Sequence, residues 1–384
     1  MTPPTQVPYL HGQFSRVGGW LPPDPKILIG WVRKLVAEME EKRRWSGPLG
    51  PKDRAPAIQA FDDVVQSSAK LRMLAAAMLD EVPNKKPYLT DPVGNKQIRD
   101  YDCLLDTFQH IMTTKAPEWN MCEYKIGLIA CLFNAILDWP MATPSGYAFF
   151  LDQQVNEKLR DILNTWGDGF LATEASLYVI TEEPGGWLSS EALQKLEEVA
   201  NLEGQTLKFF QIFTCDPSQK YWGFKSWDDF FVRTFNTIDS LRPVYQPDNP
   251  KWIVNSCESQ PFALQMNVKE HDTFWLKGQP YSVAEMIPSK PEYVDDPNIG
   301  FVGAVYVGMA DVSSCDINKK FLQKNLPQPV EKGDEIGMFH FGGSTHCLLF
   351  EKGVKLAWVG GADPSTAKRN LPVRSALAYP YDEK

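Results

Sequence analysis

Apolar residues fall into two regimes along this chain. Through roughly the first 220 residues they recur at helical spacing. Asp24-Pro25 supplies an N-cap and a proline at the first helical position, and Ile27, Trp31, Leu35 and Met39 follow at intervals of four. Ile58, Phe61 and Val65 open a second helix, which the pattern carries through the Ala-rich 74–79 to a stop before Pro83. Leu104, Leu105, Phe108 and Ile111 mark a third, and the apolar run 126–137, closed by Asp138, a fourth. Val155, Leu159, Ile162 and Trp166 make a fifth, and Ser190 caps a sixth built on Leu193, Leu196 and Val199. Stripes of this width face a protein core.

After about residue 221 the period shortens. The runs 252–254, 262–268, 301–309, 336–341, 347–350 and 356–359 are short and β-rich. Turn signals such as Gln246-Pro-Asp-Asn-Pro250 and Glu331-Lys-Gly-Asp334 separate them. The expected class is α+β: an extension with one helix over 1–44, a helical domain over 45–220, and a mainly antiparallel β domain over 221–384. The polar, Pro-rich 287–297 is a loop.

Composition narrows the partners. A net charge of −9 leaves no basic stripe to neutralise phosphates, which argues against nucleic acid and against adhesion to an anionic membrane. Seven dispersed cysteines without a C-x-x-C pair read as reduced thiols, not a disulfide framework or a zinc site. The opening Met1-Thr-Pro-Pro has neither a secretory nor a mitochondrial pattern, and the run 126–137 is too short to span a bilayer. The expectation is a cytoplasmic protein without a transmembrane segment.

The chemistry concentrates in Gly337-Met-Phe-His-Phe-Gly-Gly-Ser-Thr-His-Cys-Leu-Leu-Phe350. Two glycines inside a strand-like run leave the backbone bare, so the strand bends or something approaches closely. By itself the step reads as a glycine bulge in a β-hairpin. It also allows the Ser344 hydroxyl to attack the Gly343 carbonyl, starting an N-to-O acyl shift that can end in chain cleavage.

Three further segments bear on that choice. Ser226-Trp-Asp-Asp-Phe-Phe-Val-Arg-Thr-Phe235, followed by Leu241-Arg-Pro243, resembles the opening motif of the phosphatidylserine decarboxylase family. Phe274-Trp-Leu-Lys-Gly-Gln-Pro-Tyr-Ser282 resembles its lysine-glycine-x-x-tyrosine-serine strand, and Gly333-Asp-Glu-Ile-Gly-Met-Phe-His-Phe-Gly-Gly-Ser-Thr345 its self-cleavage site. They stand in the family's order across roughly 221–384. The helical first half and the Gly-Met-Phe-His-Phe-Gly-Gly-Ser spelling look most like the fungal tryptophan-decarboxylase-like branch.

The resemblance implies cleavage at Gly343-Ser344, yielding two subunits from one chain and a pyruvoyl group made from Ser344. That ketone forms a Schiff base with the substrate amine and takes up the electron pair as CO₂ leaves, so neither pyridoxal phosphate nor a metal is needed. The implied substrate is an aromatic L-amino acid such as tryptophan, or the head group of phosphatidylserine, which would place the protein in phospholipid biosynthesis.

Part of the family pattern is absent. The family's base comes from a tyrosine-histidine-arginine-x-histidine strand, and none of His11, His110, His271, His340 and His346 lies in such a strand. The chain passes from Met286 through the Pro-rich seam to the strand at 301–309, so an internal deletion falls near 287–300. On a regular strand His340 and His346 share the side of Ser344 and are the substitute bases, and Glu258 is the stand-in for the family's acidic partner. Three readings stay open: a self-processing decarboxylase, a catalytically silent relative acting as a binding or partner subunit, and an unrelated hydrolase using Ser344. The last fails the G-x-S-x-G pattern, because position 346 is His.

Overall fold

Helical stripes of the kind in the first half are stable only when they face one another, and the computed structural model shows them doing so. It describes residues 25–81, 98, 100–119, 132–141, 143–271, 274–276, 279–286, 300, 302–308, 315–322, 328–340 and 344–381. Helix α1 (Pro25–Ser46) buries Leu35, Val36 and Met39, so this helix packs into the helical body. Helix α2 (Pro56–Ser67) buries Ile58, Phe61 and Val65.

The second expected helix does not run unbroken to 79. Ser68 takes an extended conformation (φ −117°, ψ 120°), and its side chain accepts a hydrogen bond from the Leu71 amide, capping α3 (Ala69–Asp80). A serine competes with the helix for its own backbone donors, so one continuous apolar pattern becomes two helices at this point. Helix α4 (Tyr101–Thr114), capped by Asp100, buries Leu104, Leu105, Phe108 and Ile111. Of the fourth expected helix, 126–131 lies outside the described residues; α5 (Leu132–Met141) continues past Asp138 with Pro140 in its last turn.

Helices α6 (Pro144–Phe150) and α7 (Gln153–Trp166) follow, α7 burying Val155, Leu159, Ile162 and Trp166 as the spacing predicts. The cap of α8 (Ser190–Ala200) is Ser189, one residue earlier than expected. Val199 is exposed, so the inward face of α8 is Ala192, Leu193, Leu196 and Ala200.

Aromatic rings fasten this body. Phe108 lies 6.0 Å from Phe61 and 5.4 Å from Phe133, which lies 5.2 Å from Trp166. A second group links Trp119, Trp187 and Trp227 at 5.2 and 5.9 Å. Through it, α9 (Phe209–Ile212) and α10 (Trp227–Phe231) join the helical core: Phe209, Trp227 and Phe230 are buried. The Trp-Asp-Asp-Phe-Phe motif thus packs against the helices, although it opens the segment with β-rich sequence.

The remainder is antiparallel in every described pairing. Strands β1 (Ile253–Val254), β8 (Leu356–Trp358) and β9 (Ala376–Pro380) form a sheet in the order β1-β9-β8. β2 (Phe274–Leu276) and β3 (Gln279–Tyr281) form a hairpin. β4 (Val302–Gly308) pairs with β7 (Ser344–Phe350), and β5 (Cys315–Ile317) with β6 (Gly337–Phe339).

No strand forms over 262–268. Phe262, Leu264 and Met266 alternate as a strand would, yet all three are exposed and none belongs to a described β-ladder. Alternation without a partner ladder does not hold a strand. Beyond Phe231, the described buried apolar side chains are Ala362, Leu377 and Ala378. Among the described residues, buried apolar side chains therefore concentrate in the helical body, with the β layer attached to it.

Candidate active site

The β layer is attached through the residues that the motifs single out. Arg242, of the Leu-Arg-Pro segment, is 2% exposed. Its guanidinium donates to Glu258 Oε1 at 2.6 Å and Oε2 at 3.3 Å, to the Ala200 carbonyl at the end of α8, and lies over the Phe235 ring. The Val373 amide donates to the same Glu258 carboxylate at 2.9 Å. Glu258 is thus occupied as an ion-pair and backbone anchor, tying the turn after β1 to both the helical body and the approach to β9. Asn255, also buried, braces that turn by donating to the carbonyls of Cys257 and Leu371.

The same turn presents Cys257 to β7. Its Sγ lies 3.2 Å from His346 Nδ1, and the His346 ring stacks on Tyr306, its cross-strand partner in β4, at 6.4 Å. Burial pushes the His346 pKa below its ordinary value and the Cys257 thiol above its own. The pair is a neutral imidazole beside a protonated thiol.

β7 is regular. Its seven pairings run from Ser344↔Gly308 to Phe350↔Val302 without a slip. Positions 344 and 346 thus stand two steps apart on one regular ladder. Gly343 lies outside the described residues.

His340 lies elsewhere. It follows β6 and turns toward α10, where its Nδ1 is 3.0 and 3.1 Å from the two carboxylate oxygens of Asp228. Its Nε2 is 3.4 Å from Asp316 Oδ2 on β5. The α10 sequence explains the aim: Trp227 and Phe230 are buried in the helical core, and Ser226 caps the helix by accepting from the Asp229 amide. Asp228 is left facing the β layer. β6 in turn sits tight on β5, because a Cβ at Gly337 would run into the Asp316 carbonyl.

In sequence, the Gly343-Ser344 step thus stands between two held histidines, His340 by Asp228 before it and His346 by Cys257 after it. The spacing singles out both histidines, while their partners are invisible to it, lying 112 and 89 residues away. Asp228 at least stands within a recognisable motif; Cys257 carries no sequence signal. Among the described residues no group of three His, Cys, Asp or Glu is placed to hold a metal ion, and no helix is long and apolar enough to cross a membrane.

Residue 344 is the first residue of β7, and the ladder with β4 and the β9–β1 pairing join the segment 344–381 to the rest of the β layer.

Comparison with known proteins gives the family. Two family models, both described as phosphatidylserine decarboxylase, match residues 55–196 and 293–362. An L-tryptophan decarboxylase of Psilocybe cubensis is 25% identical over 446 aligned positions, covering 94% of each chain. The decarboxylase iboD of Amanita muscaria is 29% identical over 316 positions, covering 60% of this chain and 86% of its own. Phosphatidylserine decarboxylase proenzyme 3 of Schizosaccharomyces pombe is 21% identical over 206 positions, 38% of this chain and 21% of its own.

The alignments also measure what is absent. The 446 positions take up 94% of 384 residues, about 361, so about 85 positions of the Psilocybe enzyme face no residue here. The 316 positions of the Amanita alignment take up 60%, about 230, leaving about 86. The chain belongs to the phosphatidylserine decarboxylase family, as a decarboxylase of the fungal L-tryptophan-decarboxylase-like branch.

Proposed function

We propose that this chain is a pyruvoyl-dependent carboxy-lyase that cleaves itself between Gly343 and Ser344 and acts on a free aromatic amino acid. The observation that carries the reading is the setting of residue 344: it heads a regular strand directly after the Gly-Gly pair, in a family whose relatives include a proenzyme. A pyruvoyl group at that position supplies a ketone that condenses with the substrate amine and takes up the electron pair released with CO₂.

The chain's own residues do the rest. The β4–β7 ladder keeps the new end in place, and His346, two residues on and held by Cys257, holds or moves a proton there. The Arg242–Glu258 pair keeps the Cys257 turn against His346. The aromatic amino acid is favoured over a phospholipid head group because the tryptophan decarboxylase aligns with 94% of this chain and the phosphatidylserine proenzyme with 38%. The absent block falls at the seam near 287–300.

A second reading has its own support: the absent positions favour a silent relative that serves as a partner subunit. Intact-mass measurement of the purified chain separates the two. Self-processing yields fragments 1–343 and 344–384, together equal to the precursor with one water gained and one ammonia lost. A single 43.5 kDa species with unmodified Ser344 refutes it in favour of the silent relative.

A further inference from the structure

The geometry points to Arg233 as an anion site: a half-buried guanidinium, framed by phenyl rings and without a carboxylate partner, that takes the carboxylate of a small aromatic acid. The assignment goes beyond the function proposed above and does not depend on self-processing.

Arg233 follows α10, and its side chain lies among the rings of the helical body. The guanidinium carbon is 4.6 Å from the centre of the Phe213 ring, 5.1 Å from Phe230 and 5.5 Å from Phe209. Ring faces attract a cation, but they offer its in-plane N–H groups no lone pair. Nη1 donates to the Phe230 carbonyl at 3.1 Å. Nε is covered by protein and has no acceptor, while Nη2 makes no hydrogen bond and is not covered. Nε and Nη2 form the side-on edge of a guanidinium, which a carboxylate grips through two parallel hydrogen bonds.

The missing partner sets this arginine apart. Arg43 faces Asp106, Arg54 faces Asp62, Arg242 faces Glu258 and Arg374 faces Asp239. Among the described residues no carboxylate does the same for Arg233; the titratable group that acts on it is the thiol of Cys215. Burial pushes that thiol up to about 11, so it is neutral and supplies no counter-charge. Burial also lowers the arginine to about 10, which leaves it cationic at neutral pH. A desolvated charge with no opposite charge beside it is costly, and a bound anion relieves that cost.

The rim decides the kind of anion. Phe209 also meets Trp222, with ring centres 6.0 Å apart, and Trp222 lies 6.5 Å from Phe210, which is 42% exposed. A constrained turn places that indole. Tyr221 and Trp222 have φ of 53° and 54°, in the left-handed region that side chains other than glycine seldom adopt, and Gly223 follows at 84°. The turn is fastened by the Asp216 amide donating to the Trp222 carbonyl at 3.0 Å and by Trp222 Nε1 donating to Glu182 at 2.9 Å. An indole and a partly exposed phenyl ring beside an unpaired guanidinium fit a flat, apolar body behind the carboxylate.

The test is binding of sodium 3-phenylpropionate to the full chain, followed by ligand-observed NMR and thermal shift, beside its neutral amide and inorganic phosphate. The acid is expected to bind with a dissociation constant of about 1 mM, in keeping with its size. The amide, which lacks the charge, is expected to bind at least about tenfold more weakly. Arg233→Met abolishes binding of the acid, and Arg233→Lys, which keeps the charge without the side-on edge, weakens it about tenfold. A wild-type chain that leaves the acid unbound at about 10 mM overturns the assignment, because a site of the expected strength is then mostly filled. It is equally overturned if the amide binds as tightly as the acid, or if Arg233→Met binds the acid as wild type does. Tighter binding of phosphate than of the acid overturns the aromatic carboxylate as the ligand class. If Arg233→Met fails to fold, as judged by circular dichroism, Arg233→Lys and the comparison of acid with amide on wild type decide, and an unchanged constant in either overturns the site.

Discussion

Glu258→Ala probes the joint between the helical body and the β layer. Arg242 is almost fully buried and has one acidic partner, so removing Glu258 strands a guanidinium that keeps its contacts to the Leu241 and Ala200 carbonyls. Breaking a buried pair from one side costs about 3–5 kcal/mol; the Glu258 side chain is 30% exposed, which places this case at the lower end, about 3 kcal/mol. Glu258→Gln keeps an acceptor for either Arg242 or the Val373 amide and costs roughly half as much, at about 1.5 kcal/mol. With an unfolding entropy of about 0.8 kcal/mol/K for all 384 residues, the alanine variant loses about 4 °C in melting temperature; if the β layer melts by itself, its smaller entropy makes the loss about 10 °C. Differential scanning calorimetry measures both the shift and whether one transition becomes two. A shift below 1 °C for Glu258→Ala refutes the anchoring role and returns Glu258 to the pool of groups free for chemistry.

Two further predictions concern the core and the pH response. Phe133→Ala removes a fully buried ring held between Phe108 and Trp166, and is expected to cost about 3–5 kcal/mol in urea denaturation, whereas Phe133→Leu costs much less. Burial lowers the His346 pKa below its ordinary 6.5, so between that lowered value and 6.5 the unfolded chain binds more protons than the folded one. Stability is therefore complete above pH about 6.5 and falls as the pH drops through this window. His346→Gln flattens the slope without abolishing it, because burial lowers His110 in the same direction. Denaturation of both proteins at several pH values between 5 and 7 checks this, and an unchanged slope would exclude burial of His346 as a source of it.

Legibility from sequence tracked the range of the forces involved. Helices α4 and α7 were readable because their apolar periodicity and caps lie within a few residues of one another. The break at Ser68 was hidden: the stripe continues across it, and only the competition between the serine and the helix amides divides it. Strand β9 was missed because Ala-Leu-Ala-Tyr-Pro has little strand preference and depends on pairing with β1 and β8. The opposite error, at 262–268, arose from alternation that no described strand uses.

The amino-acid sequence by itself determined the division into helical and β-rich halves, the chemical family, the candidate step at Gly343-Ser344, and the absence of the family's histidine strand. Each is written in local order: a period, a motif, or a motif missing from its place. Only the tertiary structure decided what the remaining polar groups attend to. It turned His340 toward Asp228, set His346 against Cys257, and committed Glu258 to Arg242. Those pairings join residues 16 to 112 positions apart, brought together by burial of Trp227 and Phe230 in the helices and by the register of β7 on β4. A side chain's partner is fixed by where the backbone places it, and no spacing along the chain encodes that.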